Sequence, residues 1–170
     1  WMSDLFEQDS RLRPEHPGDR FVYRAMEMLK TWTGAKHARL VFDDVSSPST
    51  ADGFFEAVKG KGDIAVLTTT KNGDVFGCYY TVAVMEQNKL NQDPKMFVFS
   101  FQSFGRCKTP QRFLVRDDQK DNVYVTFTKS VDNKLSIECF PTSLVRVTSH
   151  RSFDGLFLCF LGQVSTETYG

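Results

Sequence analysis

The strongest constraint in this chain is a dipeptide, Asn72-Gly73, set between two β-rich runs. A tight type I′ hairpin turn needs positive φ at both central positions, which Asn and Gly tolerate better than other residues. The flanking runs, DIAVLTTT at 63–70 and DVFGCYYTV at 74–82, are apolar on both faces and do not alternate cleanly. Strands of that kind belong in the middle of a sheet that is covered on both sides. The chain is therefore expected to grow around a central antiparallel hairpin, and its other segments must supply the two covers.

Residues 2–18 read as a polar lead-in, where Pro14 and Pro17 oppose a continuous helix; Trp1, ahead of Met2, is read as an added residue outside the fold. From Asp19, a candidate N-cap, Phe21, Ala25, Met28, Leu29 and Trp32 recur at helical spacing, and Gly34 ends the helix. A strand follows at 39–43. Asp52 is expected to cap a second helix, Gly53 to Val58, that turns Phe54, Phe55 and Val58 inward. After a polar loop at 88–94, residues 96–101 form a strand with three Phe on one face. Segments 112–115, 122–128, 134–140, 144–147 and 156–164 continue the pattern, with a tight turn at Asp132-Asn133. Two early helices and many short strands imply an α+β fold: two antiparallel sheets stacked as a sandwich and flanked by short helices, in one domain from 19 to 170.

Charge narrows the partners. The 170 residues carry 21 Lys+Arg and 21 Asp+Glu, so there is no broad cationic field for sequence-independent nucleic-acid binding or for anionic membranes. No run approaches the ~18 apolar residues of a membrane span, and 2–9 lacks the basic and apolar regions of a signal peptide. Cys78, Cys107, Cys139 and Cys159 form no CxxC pair; free thiols in a reducing compartment, cytosol or nucleus, are expected.

The search for catalytic chemistry finds little. His16, His37 and His150 read as lead-in, turn and loop residues. His150 lies near Ser149 and Ser152 but has no nucleophile elbow around it. Cys107 stands between Arg106 and Lys108, whose charges favour thiolate, so it is the one redox candidate. Asp43-Asp44 and Asp117-Asp118 read as solvated acids, and no His or Cys pair has ligand spacing, so no metal or other cofactor is expected. Gly60 in Gly60-Lys61-Gly62 is read as the residue that ends the second helix, because the spacing is not that of a phosphate loop. The most asymmetric stretch is 95–116. It carries Lys95, Arg106, Lys108, Arg112 and Arg116 with no acid, interleaved with Phe101, Phe104 and Phe113, and is the place to look for an anionic partner.

The block from Trp32 to Val82 resembles the first half of a TLDc domain, the module of the oxidation-resistance family. The matching residues are Trp32 at the end of an amphipathic helix, Asp52-Gly53-Phe54-Phe55-Glu56, the run from Gly62 to Leu67, and Asn72-Gly73-Asp74-Val75-Phe76-Gly77-Cys78-Tyr79; Phe97, Phe99 and Ser100 fit the strand that follows. A glycine-rich region of the family has no clear counterpart between Asp121 and Phe140, so the resemblance is to a divergent member. It implies a two-sheet sandwich with structural roles at Trp32, Gly53, Phe54, Gly73, Phe76, Gly77, Tyr79, Phe97 and Phe99. Phe76 is expected to fill the core, and Gly77 to allow close backbone approach or a bulge. It also implies a non-enzymatic regulatory module linked to oxidative stress, with a protein partner such as the vacuolar proton-pumping ATPase. The alternatives are a nucleic-acid-binding regulator using 95–116 and a hydrolase or thiol-redox enzyme at His150 or Cys107.

Overall fold

The computed structural model describes residues 17–43, 50–69, 74–103, 107, 109–129, 135–140, 147–148 and 157–163, with backbone alone for 17–23, 43, 69, 129 and all positions from 135 onward. Strands β2 (Ile64–Thr69) and β3 (Val75–Tyr80) pair antiparallel from Ile64–Tyr80 to Thr69–Val75, the arrangement expected of the two apolar runs. The Asn72-Gly73 turn between them lies outside the described residues. The pair sits at the centre of a six-stranded sheet with the order β1-β10-β2-β3-β5-β6. Its other members are β1 (His37–Asp43), β5 (Phe97–Gln102), β6 (Gln111–Leu114) and β10 (Phe157–Gln163), and every neighbour is antiparallel. A second sheet, β4-β7-β8-β9, contains β4 (Asn91–Gln92), β7 (Tyr124–Lys129), β8 (Leu135–Phe140) and β9 (Val147–Thr148).

Strand alternation divides the apolar side chains between two cores. Ile64, Val66, Cys78 and Tyr80 face Phe54, Phe55 and Val58 of helix α2 (Ala51–Val58) and Val125 and Phe127 of β7. Phe127 is the hub of this inter-sheet core, with ring centroids 5.6 Å from both Phe54 and Tyr80 in edge-to-face geometry. On the opposite face Ala65, Leu67, Tyr79 and the three Phe of β5 pack under Ala25, Met26 and Leu29 of helix α1 (Pro17–Thr33). The two covers required by the central hairpin are thus a sheet with α2 and a long helix. The α+β sandwich stands.

Several boundaries differ from expectation for local physical reasons. Helix α1 starts at Pro17, not at Asp19: proline suits the first turn, where its missing N–H has no partner to lose. Gly34 closes it at φ +75°, donating to the Lys30 carbonyl at 2.8 Å. Thr50, not Asp52, caps α2, its hydroxyl accepting from the Gly53 N–H at 3.0 Å; Asp52 falls in the first turn. Gly60, at φ +71°, holds the left-handed position after this helix. The polar loop at 88–94 contains β4, and Asp117–Asn122 is a 3-10 helix. His37, expected in a turn, opens β1. Phe76 does not fill the core. It is only partly buried, at the register shift between β3 and β5, and the inter-sheet core draws on Cys78 and Tyr80 instead.

Candidate functional site

Where α1 ends above β3, β5 and β6, the structure opens a cleft of about 320 Å³. Its floor is aromatic. Tyr79 of β3 and Phe97 of β5 lie with centroids 5.0 Å apart, and Trp32, in the last turn of α1, meets Phe97 edge-on at 6.2 Å and stacks on Phe101 at 5.4 Å. The Tyr79 hydroxyl donates to Asp63 Oδ1 at 2.8 Å. Asp63 holds a left-handed backbone (φ +55°) between Gly62 and β2, which aims its carboxylate into the cleft. Burial, and then the bond to Asp63, push the Tyr79 hydroxyl well above the usual tyrosine range.

The mouth is cationic. Arg112, on β6, donates from Nη1 to the Trp32 carbonyl at 2.7 Å and places its guanidinium carbon 5.9 Å from the centre of the Phe97 ring. The last carbonyls of a helix have no partner within it and carry partial negative charge, so a guanidinium there is well placed. This one contact ties the edge strand to the helix end across 80 positions of sequence. Lys95 stands beside it, exposed. Beneath lies Asp93, fully buried, whose carboxylate accepts from the Thr81 N–H, the Thr81 hydroxyl (2.8 Å), the Val82 N–H (3.4 Å) and the Lys95 N–H (3.2 Å). A buried carboxylate with four donors is a brace. It fixes Thr81 and Lys95, two of the residues that line the cleft.

The cleft joins two groups of residues that the sequence presents separately. Trp32, Tyr79 and Phe97 come from the structural motif, and Lys95 and Arg112 from the basic stretch. Phe99 packs behind Trp32 at 6.3 Å, Phe54 belongs to the other core, and Gly53 serves the α2 cap. Gly77 admits the close approach of β2: an added Cβ would overlap the Val66 carbonyl oxygen. Arg116 does not join the cleft; it forms a two-pronged pair with Asp118 at 2.9 and 3.0 Å. Gly73, Arg106, Lys108, His150 and Cys139 lie outside the described residues or side chains, and Cys107 is partly buried. The sequence reading missed Asp63, Thr81, Asp93 and Leu114. Only Asp93, an acid next to Pro94 in a loop, carried any local signal, and it pointed to a turn.

Among the described residues no group of three or more His, Cys, Asp or Glu side chains is placed to hold a metal ion, and no helix is long and apolar enough to cross a membrane. The family model of the TLDc domain matches residues 20–139, from α1 through most of β8. The chain belongs to the TLDc family. The matched span reaches past the hairpin and β5 and takes in β6 and β7, so the residues that line the cleft lie within the match, while β9 and β10 lie beyond it. A comparison with curated proteins gives no match.

Proposed function

We propose that this TLDc chain is a non-enzymatic regulatory domain that acts by binding a protein partner along β6 and the cleft beside it. At family level a TLDc domain supports a regulatory role associated with oxidative stress. The observation that carries the interaction reading is the state of β6. It is the edge strand of its sheet, all four of its residues are exposed, and Phe113 and Leu114 leave 48% and 62% of their surfaces open. Paired exposed apolar residues on an open strand edge are a template for association. The vacuolar proton-pumping ATPase is the first partner to test, and the cytosol or nucleus is the compartment that goes with this reading.

The test is biolayer interferometry of the purified chain against the solubilised pump, with Phe113→Glu and Leu114→Glu as variants. Saturable binding that drops at least tenfold in both is expected. If there is no binding, or if both variants bind as wild type does, the reading is wrong.

A further inference from the structure

We infer that the β6 edge and its cleft receive an extended acidic peptide segment, added to the six-stranded sheet as one more strand with a carboxylate side chain seated between Arg112 and Lys95. This rests on the interaction reading above and names the chemistry of the partner.

Three observations converge. First, among the described residues β6 is bonded to β5 on one side only, and Gln111 to Leu114 contains no proline to block its outer ladder. Open edges of this kind are where peptides add by main-chain hydrogen bonding. Second, the register fixes which side chains face the cleft. Arg112 is opposite Phe99 and Leu114 opposite Phe97, on the face toward α1, whereas Phe113 is opposite Val98 on the other face. A strand laid beside β6 therefore presents alternate residues to Arg112 at the cleft mouth and to an exposed Phe ring. Third, the cations at the mouth have room for a carboxylate. Asp63 bonds the Tyr79 hydroxyl and Asp93 takes four donors below it; both keep their charge, but neither is bonded to the Lys95 or Arg112 side chain. Among the described residues Lys95 has no ion-pair partner, and Arg112 spends one contact on Trp32. A guanidinium has five N–H donors, which leaves a fork free for a carboxylate. A space of about 320 Å³ holds a Glu side chain over the Phe97 ring.

The probe is a fluorescein-labelled octapeptide alternating Glu and Val, titrated against the whole chain by fluorescence anisotropy. Two control peptides carry Lys in place of Glu, or N-methyl groups on alternate amides that remove one ladder edge. The acidic peptide is expected to bind at least tenfold more tightly than either control and to weaken as salt rises. Arg112→Gln and Lys95→Glu should each weaken it at least fivefold. Arg112 also holds the end of α1, so the exposed Lys95→Glu is the variant that decides if Arg112→Gln unfolds. Equal binding of the acidic and Lys peptides, indifference to N-methylation, or wild-type affinity in Lys95→Glu overturns the inference. So does self-association of the chain through β6 that the peptide fails to compete. If the pump binds, loses affinity in Phe113→Glu and keeps it in Lys95→Glu, the acidic-strand inference fails while the interaction reading stands.

Discussion

Gly77→Ala is the substitution that most directly tests how the central sheet is built. Gly77 lies in β3 with Leu67 opposite it on β2 and Phe99 opposite on β5. An added Cβ would overlap the Val66 carbonyl oxygen and stand 2.9 Å from the Val66 carbonyl carbon and 2.7 Å from the Phe99 ring. The ring can turn aside, but the β2 backbone cannot move without parting from β3. Overpacking a tight interior costs about 1–3 kcal/mol. Losing one or two ladder hydrogen bonds adds about 0.5–1.5 kcal/mol each. The expected destabilisation is therefore roughly 2–5 kcal/mol, or a fall in Tm of roughly 5–20 °C for a chain of this size. The backbone at Gly77 is not left-handed, so unfolded-state entropy alone would make Ala stabilising by about 0.4–1 kcal/mol. The two arguments differ in sign. Urea and thermal unfolding followed by far-UV circular dichroism separate them, with Gly34→Ala as the control. Gly34 has open space around it and only its positive φ at stake, worth about 1–2 kcal/mol. If Gly77→Ala is no less stable than Gly34→Ala, close approach of β2 is not what requires glycine here.

Asp93→Ala strips the acceptor from the Thr81, Val82 and Lys95 amides and is expected to cost about 3 kcal/mol or more in urea unfolding, since bonds to a buried carboxylate are worth about 1.5–3 kcal/mol each; a loss under about 1 kcal/mol would mean that Asp93 is not the brace of the cleft. Tyr79→Phe tests the raised hydroxyl: a proton held more tightly in the fold contributes stability that is complete below the unfolded value of about 10 and is lost as pH rises through the folded one. Urea midpoints measured from pH 8 to 11 should therefore show wild type falling toward the Tyr79→Phe variant above about pH 10, and a constant gap would contradict the assignment. Thr50→Ala removes the α2 cap and should cost about 1 kcal/mol, whereas Asp52→Ala should cost distinctly less; the reverse order would restore Asp52 as the cap.

The parts of the fold that are legible in the sequence are those decided within a few residues. The helical spacing of Ala25, Leu29 and Trp32, the apolar runs of β2 and β3, and the alternating Phe of β5 each announce their element, because periodicity is a local property. The failures share a cause. Phe76 looks like core because its strand is apolar throughout, yet its burial depends on what covers that end of the sheet. The two-residue strand β4 exists only through its pairing with Val125 and Tyr124, over 30 residues away, and no local pattern marks it. The cleft is the extreme case. Arg112 reads as one cation among five until the fold carries it to the Trp32 carbonyl, and Asp63 reads as the start of a strand until its left-handed backbone turns it toward Tyr79.

The balance of 21 basic and 21 acidic residues hides how the charges are paired. Along the segment that follows β6, cations and acids meet at once: Arg116 with Asp118, and Lys120 with Asp117 at 2.6 Å, which holds the Asp117 carboxyl below its usual range. These pairs are exposed and contribute little stability, but they cancel any field the segment would project. At the cleft the acids bond neutral donors, Asp63 the Tyr79 hydroxyl and Asp93 the Thr81 hydroxyl and three amides, and neither is bonded to a cationic side chain there. Lys95 and Arg112 both face solvent, Arg112 over the Phe97 ring. Two cations with free donors thus stand beside an open strand edge. That placement favours a partner able to supply both a backbone ladder and a carboxylate, which nucleic acid cannot do and an acidic strand can.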